Sequence, residues 1–435
     1  MNYTETLNYI HSLGNFKLPA GLERITAALS ALSCPQNKFE AIHIAGTNGK
    51  GSVCKYLEEG LAACGYNVGL YTSPFIEKFN ERIRLGGRDI SDEDLDIYTE
   101  RVLSAVSEMV EEGYDSPTEF EVVTTIALLY YKEKNADITI LEVGLGGKGD
   151  STNVVPKPMI CAITSISYDH MDRLGNTLGK IAADKAGIIK PGVPVISNVD
   201  VPEAARVIAK AAYEQGSRLY DISKIKFDIS EQTPFSQKVS MEIYGTDYSD
   251  VTTTMTGRHQ GENLKTALAV IEVLRKERKI KVERSSLYAG LKKAAQPGRF
   301  EVLSGDENNP PMIIIDGAHN EAGAGALQDT ADKYFAGKKI LLVTGMLADK
   351  QVEEILKHFV QITDNIIITE PDNPRKLSVQ KLDVKLKEMG ISAIKAADAA
   401  EAVAAAQRIW SDYEAVIFAG SLYLIGDVRR IIKNG

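Results

Sequence analysis

The chain predicts two consecutive α/β domains, each built on a mainly parallel sheet. Three observations carry that prediction. Short β-branched runs alternate with amphipathic helical stretches along nearly all of the 435 residues. Those runs are apolar on both faces, as strands covered by helices on either side must be. The alternation stops at a Pro-Gly break in "AAQPGRF" (294–300) and then starts again.

The first domain, residues 1–296, has strand-like runs "FEAIHIA" (39–45), "NVGLYTS" (67–73), "DITILEVG" (137–144), "CAITSIS" (161–167) and "VPVIS" (193–197). Helix-period segments such as "SVCKYLEEGLAAC" and "EFEVVTTIALLYYKEK" separate them. Residues 218–257 break the rhythm, because "KVSMEIYG" and "DVTTTMTG" read as antiparallel strands added to one side. A helical segment over 260–293 leads to the break. The second and smaller domain, 297–435, repeats the pattern with "MIIIDG", "KKILLVTG", "NIIITE", "SAIKAA" and "EAVIFAG". It reads as a Rossmann-like α/β unit. Two such domains joined at a hinge place a site in the cleft between them.

A chain with 44% hydrophobic and 25% charged residues has the profile of a globular protein with a sizeable core. Its net charge of -9 argues against a general nucleic-acid or anionic-membrane surface. "MNYTETLNYIHSLGNF" lacks the layout of a signal peptide, and no apolar run approaches the roughly 20 residues that span a bilayer. The four cysteines form no CxxC pair, so neither a disulfide framework nor a zinc site is indicated. The expectation is a cytoplasmic protein without nucleic-acid or membrane partners.

In open parallel sheets, ligands bind beyond the carboxyl ends of the strands. Four polar motifs fall there. "IAGTNGKGSV" (44–53) follows the first strand and opens a helix. It departs from the G-x-x-x-x-G-K-[ST] rule, with Ile44 five before Gly49 and Gly51 between Lys50 and Ser52. Backbone N–H groups and a helix N-terminus there would face an anion, with Lys50 against phosphate, which makes the first sheet P-loop-type. The alternative is a tight turn carrying a surface lysine. Ser73 and Glu142 end the second and third strands, and Asp169-His170 follows the fourth. A hydroxyl and a carboxylate beside a triphosphate suit magnesium, whereas His170 alone would suit a softer metal. Singly, Ser73 reads as a turn, Glu142 as a surface charge and His170 as a cap or a hydrogen-bonded core group.

"LGKIAADKAGIIKPG" (178–192) is a helix with Lys185 near its end, where a lysine also complements the helix dipole without any functional part. "QPGRFEVL" puts Arg299 at the interdomain joint, fit for a base, a phosphate or a plain ion pair. "DGAHN" puts Asp316 and His319 at the first strand end of the second domain.

Taken in order, "HIAGTNGKGSV", "YTSPFIEKFNERIRLGG", "TEFE", "EVGLGG", "SYDHMDRLGNTLGKIAADKAGIIKPG", "GRHQGENLKTAL", "PGRFE", "DGAHN" and "AGSLYLIGDVR" resemble the folylpolyglutamate synthases of the Mur ligase family. The resemblance runs from about residue 40 to 430 and accounts for the unusual P-loop spacing. It implies an ATP- and Mg2+-dependent amide-forming ligase that joins L-glutamate to folate, with or without dihydrofolate synthase activity, acting as a monomer. Thr47, Asn48, Gly49, Lys50, Gly51 and Ser52 would cradle ATP, completed by Asn263, Arg299 and Asp316. Ser73, Glu142 and His170 would hold the metal. Lys185 would be carbamylated (N6-carboxylysine), and Lys50, Lys185 and His319 would form the catalytic set. Thr118, Phe120, Asp150 and Ser151 fall where the family contacts the pterin, and His319 and Ser421 where it contacts glutamate. One departure stands out: "KGDSTN" (148–153) replaces a usual "RLDATN", which bears on pterin-pocket shape and on acceptance of dihydropteroate. The rival readings are a Mur-type ligase acting on a UDP-linked wall precursor and a nucleotide switch with no ligase activity.

Overall fold

A computed structural model of the protein describes residues 2–13, 21–277 and 279–434. Eight strands form the first sheet: β1 (Glu40–Ala45), β2 (Val68–Tyr71), β3 (Ile83–Leu85), β4 (Arg88–Asp89), β5 (Ile138–Glu142), β6 (Ile160–Ile163), β7 (Val195–Ser197) and β8 (Leu219–Asp221). Their order is β4-β3-β2-β5-β1-β6-β7-β8. All pairs from β2 to β8 are parallel, and β3 and β4 add an antiparallel edge.

The continuous apolar runs of the sequence are explained by burial from both sides. β5 and β6 are buried at every position, and β1 at every position after Glu40. One face packs on the helices Lys50–Ala63 and Arg258–Lys276, through residues such as Ile42, Leu57 and Leu268. The other packs on Asp92–Glu111 and Glu119–Glu133, through Ala41, Leu141 and Ile126. The chain leaves β1 toward β2 on one side and returns to β6 on the other. β1 is therefore the switch point of the sheet, and the loop after it opens into the crevice where such sheets bind ligands.

A second sheet contains β9 (Phe227–Gln232), β10 (Gln237–Ile243) and β11 (Thr246–Thr253), all antiparallel. Val239, Met241 and Ile243 of β10 are buried and alternate with less buried neighbours, the signature of a one-sided sheet. They pack against the Arg258–Lys276 helix. Two expectations are corrected here. The antiparallel strands form a sheet of their own, and residues 219–221, inside the stretch read as breaking the rhythm, extend the parallel sheet instead. The helical segment at 260–293 is two helices, Arg258–Lys276 and Arg284–Lys293.

The third sheet has the order β12-β13-β17-β14-β15-β16, with β12 (Glu301–Asp306), β13 (Asn309–Asp316), β14 (Ile340–Thr344), β15 (Ile366–Ile368), β16 (Ile394–Lys395) and β17 (Ala415–Ala419). It is parallel except for β12, and helices cover both faces. β12 was not expected. It is a mostly half-exposed edge strand too polar to show the apolar run of its neighbours. The run "SAIKAA" shrinks to two paired residues.

Candidate functional site between the sheets

The ends of the central strands line up. Ile44 of β1 is level with Glu142 of β5, Ala45 with Ile163 of β6, and Tyr71 of β2 with Leu141. Glycine at position 49 turns the chain at φ 87° and caps the Lys50–Ala63 helix, a conformation that a side chain would strain. The loop is pinned from the β6 side. Thr47 N donates to Ser165 O at 2.8 Å, Asn48 N to Ser165 Oγ at 3.1 Å, and Thr164 Oγ1 to Asn48 O at 2.6 Å. Ser52 is buried in the first helical turn, while Gly51 has only Gln296 near the position a side chain would take. The cradle of N–H groups is thus held rigid before any anion arrives.

Two lysines meet on one carbonyl. Lys50 Nζ donates to Gly46 O at 3.0 Å and to Thr47 O at 3.2 Å, and Lys185 Nζ donates to the same Gly46 O at 2.9 Å. Lys185 ends the helix Leu178–Lys185 but is 5% exposed, so it is no surface cation serving the helix dipole. Burial, then the charge of Lys50, brings its pKa down to about 7 against the pull of Asp169, Asp184 and Asp150. Much of it is an uncharged amine at neutral pH.

Glu142 is 6% exposed, and its Oε2 accepts from Ser73 N at 3.2 Å. Burial raises its pKa, opposed by Lys50, the Ser73 N–H and Arg299. His170 sits beyond β6, which ends at Ile163 rather than near 167. It lies in a left-handed turn at φ 48°, and burial with nearby cations lowers its pKa to about 4, against Asp169. Its imidazole is neutral at pH 7 and can offer a lone pair. Among the described residues, no three His, Cys, Asp or Glu side chains converge as a metal cage. Glu142 and Ser73, joined by the Ser73 N–H, suit a magnesium that keeps waters, and the His170 imidazole is the softer donor of the expected set.

The remaining expected residues fall into three groups. Asn263 lies against the P-loop: a Cβ on Gly49 would stand 2.2 Å from its Oδ1. Asp316 is buried and its carboxylate accepts from Phe300 N and Ala318 N, both at 2.8 Å, which ties the linker carrying Arg299 to the end of β13. Arg299 projects beside Gly317, and its charge reaches Glu142. Second, Phe120 packs on Gly144, and Asp150, buried with a raised pKa, accepts from Leu145 N at 2.9 Å and Thr152 N at 3.0 Å. Ser151 is buried beside it. Thr118 caps the Glu119–Glu133 helix in a reciprocal box with Glu121. Phe120, Asp150 and Ser151 frame the turn after β5 rather than the phosphate loop, and Thr118 holds the start of the helix that carries Phe120. Third, Ser421 is buried at the end of β17, and its Oγ accepts from Tyr423 N at 3.2 Å. The adjoining Leu422 abuts Gly317, next to His319.

With that geometry in place, the comparisons with known proteins are specific. Residues 44–271 match the Mur ligase middle domain and 298–422 the Mur ligase glutamate ligase domain. The Bacillus subtilis dihydrofolate synthase/folylpolyglutamate synthase is 36% identical, over 99% of each chain. The chain belongs to the folylpolyglutamate synthase branch of the Mur ligase family. The crystal structure of folylpolyglutamate synthase from Thermotoga maritima superposes with a TM-score of 0.86 at 36% identity, over 100% of this chain and 97% of that one. The E. coli FolC structure, in complex with DHPP and ADP, reaches 0.87 at 28% identity, over 100% and 98%.

For this Mur ligase, the structure adds groups the sequence reading left unassigned. Asp169 is a hub across the cleft. It lies 2.6 Å from Lys350 Nζ, 3.2 Å from Asn320 Nδ2, and 3.7 Å from the Nε2 atoms of both His319 and His170. Burial pushes its carboxyl up, but His319, Lys350 and His170 carry it well below the usual carboxylate range. Asn320 also exchanges side-chain hydrogen bonds with Asn48 of the P-loop, at 3.0 and 3.2 Å. Asn320 stood inside the "DGAHN" motif. Lys350 lies in the loop after β14 (Ile340–Thr344), a strand end of the second domain that the sequence reading left out.

Proposed function

We propose that the protein is an ATP-dependent ligase that adds L-glutamate to the γ-carboxylate of reduced folate. The observation that carries this reading is that the second domain reaches the first domain's site: Asn320 bonds to Asn48 of the P-loop, Lys350 pairs with Asp169, and the charge of Arg299 reaches Glu142, whose carboxylate accepts from Ser73 N. A simple nucleotide switch gives the second domain no part to play. The division at 296/297, a monomeric state and a cytoplasmic location belong to the same reading. No helix among the described residues is long and apolar enough to cross a membrane.

A carboxylate is a poor electrophile. Its oxygen attacks the γ-phosphorus of ATP, ADP leaves, and an acyl phosphate forms. The α-amine of glutamate then attacks the carbonyl carbon and inorganic phosphate leaves, giving the amide. Lys50 and the loop N–H groups stabilise the charge on the transferring phosphoryl group. Ser73, Glu142 and His170 would hold magnesium, which would supply charge neutralisation to the transferring phosphoryl group. Asn263, Arg299 and Asp316 complete the nucleotide site across the hinge. Lys185 as a carbamate would present an anion beside that metal, consistent with its buried amine. Thr118, Phe120, Asp150 and Ser151 frame the pterin end, and His319 and Ser421 the glutamate end.

The test is ADP release with glutamate and, in turn, tetrahydrofolate, dihydropteroate or a UDP-linked muropeptide. Release with tetrahydrofolate supports the reading, and dihydropteroate decides whether a second activity is present. Release with the muropeptide alone rejects it.

A further inference from the structure

The C-terminal helix Leu422–Asn434 makes a contact with the first domain that the reaction above does not use. Its Gly426 lies directly on the loop that follows Ser73: a Cβ there would stand 2.3 Å from Ile76 O. One turn further, on the same helix face, Arg429 reaches two carboxylates. It pairs with Glu77 of that loop and with Glu301, the first residue of β12 in its own domain, the latter through Nη2–Oε1 at 3.0 Å and Nε at 3.0 and 3.1 Å. Glu301 in turn accepts from Gly298 N at 2.9 Å, and Lys433 lies 3.4 Å from it. Arg429 is 16% exposed, so the pair is shielded and geometrically fixed by a planar fork of donors.

The loop it grips is itself stiff. Ile76 N, Glu77 N and Lys78 N all donate to Glu81, at 2.8, 3.1 and 2.9 Å. At its other end, Ser73 N donates to Glu142. A guanidinium on the second domain is thus linked through five residues to the carboxylate at the end of β5.

We infer that Arg429 is a positioning residue: bridging Glu77 and Glu301, it clasps the second domain against the Ser73–Glu77 loop and keeps the cleft closed to water while the acyl phosphate awaits the amine. The consequence for chemistry rests on the ligase reading, whereas the clasp itself does not. An acyl phosphate reached by water yields carboxylate and phosphate, so an open clasp consumes ATP without making amide.

Two measurements on the full chain test this. In hydrogen exchange, Arg429→Met and Glu77→Gln should each speed exchange of the 76–78 amides several-fold, and the double variant should add little, since both remove one interaction. In turnover, the ratio of ADP released to glutamate incorporated should rise several-fold in both variants, while the KM for ATP stays within about two-fold because the P-loop is untouched. Arg429→Lys should fall between, because one ammonium cannot fork across two carboxylates. Unchanged exchange in both single variants overturns the clasp. Faster exchange with an unchanged ratio overturns its part in excluding water. No folate-dependent ADP release from the unaltered protein counts against the ligase reading, and the exchange result then judges the clasp alone.

Discussion

Replacing Lys185 by methionine should stabilise the fold while removing activity. The magnitude follows from the site. The pKa of Lys185 is about 7 in the folded protein, against 10.5 for a free lysine side chain. At about 1.36 kcal/mol per pH unit, that gap corresponds to about 5 kcal/mol of strain from burying the amine. The sign is fixed by proton counting. Between those two values the unfolded chain binds a proton that the folded chain does not. The native state therefore loses stability as pH falls from 10.5 to about 7, and the penalty is constant below that. Methionine fills similar space without the penalty. The lost hydrogen bond costs about 1 kcal/mol, because Gly46 O keeps Lys50 as a donor, and imperfect packing costs about as much. A net gain of roughly 3 kcal/mol at pH 7 remains. Urea unfolding followed by far-ultraviolet circular dichroism, in buffer freed of carbon dioxide, reads it directly. The gain should fall by about 1.4 kcal/mol per pH unit, vanish near about pH 9 and become a loss of roughly 1 kcal/mol by about pH 10. A variant no more stable than the parent at neutral pH, or a difference that ignores pH, refutes the buried-amine argument. If the variant also stays active, the carbamate is rejected.

Four further outcomes are expected. Lys50→Ala should lower the ligation rate more than about 100-fold, because its charge acts mainly in the transition state; activity within a few-fold of the parent rejects the P-loop assignment. Arg299→Ala and Asp316→Ala should each weaken ATP binding by about tenfold, or ~1.4 kcal/mol, in calorimetry, and unchanged affinity in both removes them from the nucleotide site. Asp169→Asn leaves Lys350 buried without its counter-charge and should cost about 3 kcal/mol, read from unfolding with Trp410 reporting the second domain; an unshifted transition means the pair does not hold the domains. The "KGDSTN" departure should make dihydropteroate a poor substrate beside tetrahydrofolate, and equal kcat/KM for the two argues against a reshaped pterin pocket.

What could be read from the sequence was whatever leaves a periodic or strand-end trace. β1, β5 and β17 are buried on both faces, and their apolar runs announced them. The phosphate loop, Glu142 and Ser73 were legible because each ends such a run. Asn263 lay mid-chain at the start of a helix, and only resemblance brought it to Gly49. β8 is three residues long and β12 is polar, so neither produced a pattern. Lys185 was ambiguous because spacing does not report burial: the same helix-end lysine serves an exposed dipole or a closed cavity. The Asp169–Lys350 pair joins residues 181 apart in the chain, across two domains, and no local pattern encodes such a contact.

The central claim is that folate carboxylate is activated as an acyl phosphate in the cleft between the two domains. Folate labelled with oxygen-18 in the γ-carboxylate, incubated with ATP and glutamate, tests it most directly. Phosphate released with each amide formed should carry one labelled oxygen, because the carboxylate oxygen that attacks phosphorus leaves with it. Unlabelled phosphate accompanying amide formation would contradict the account.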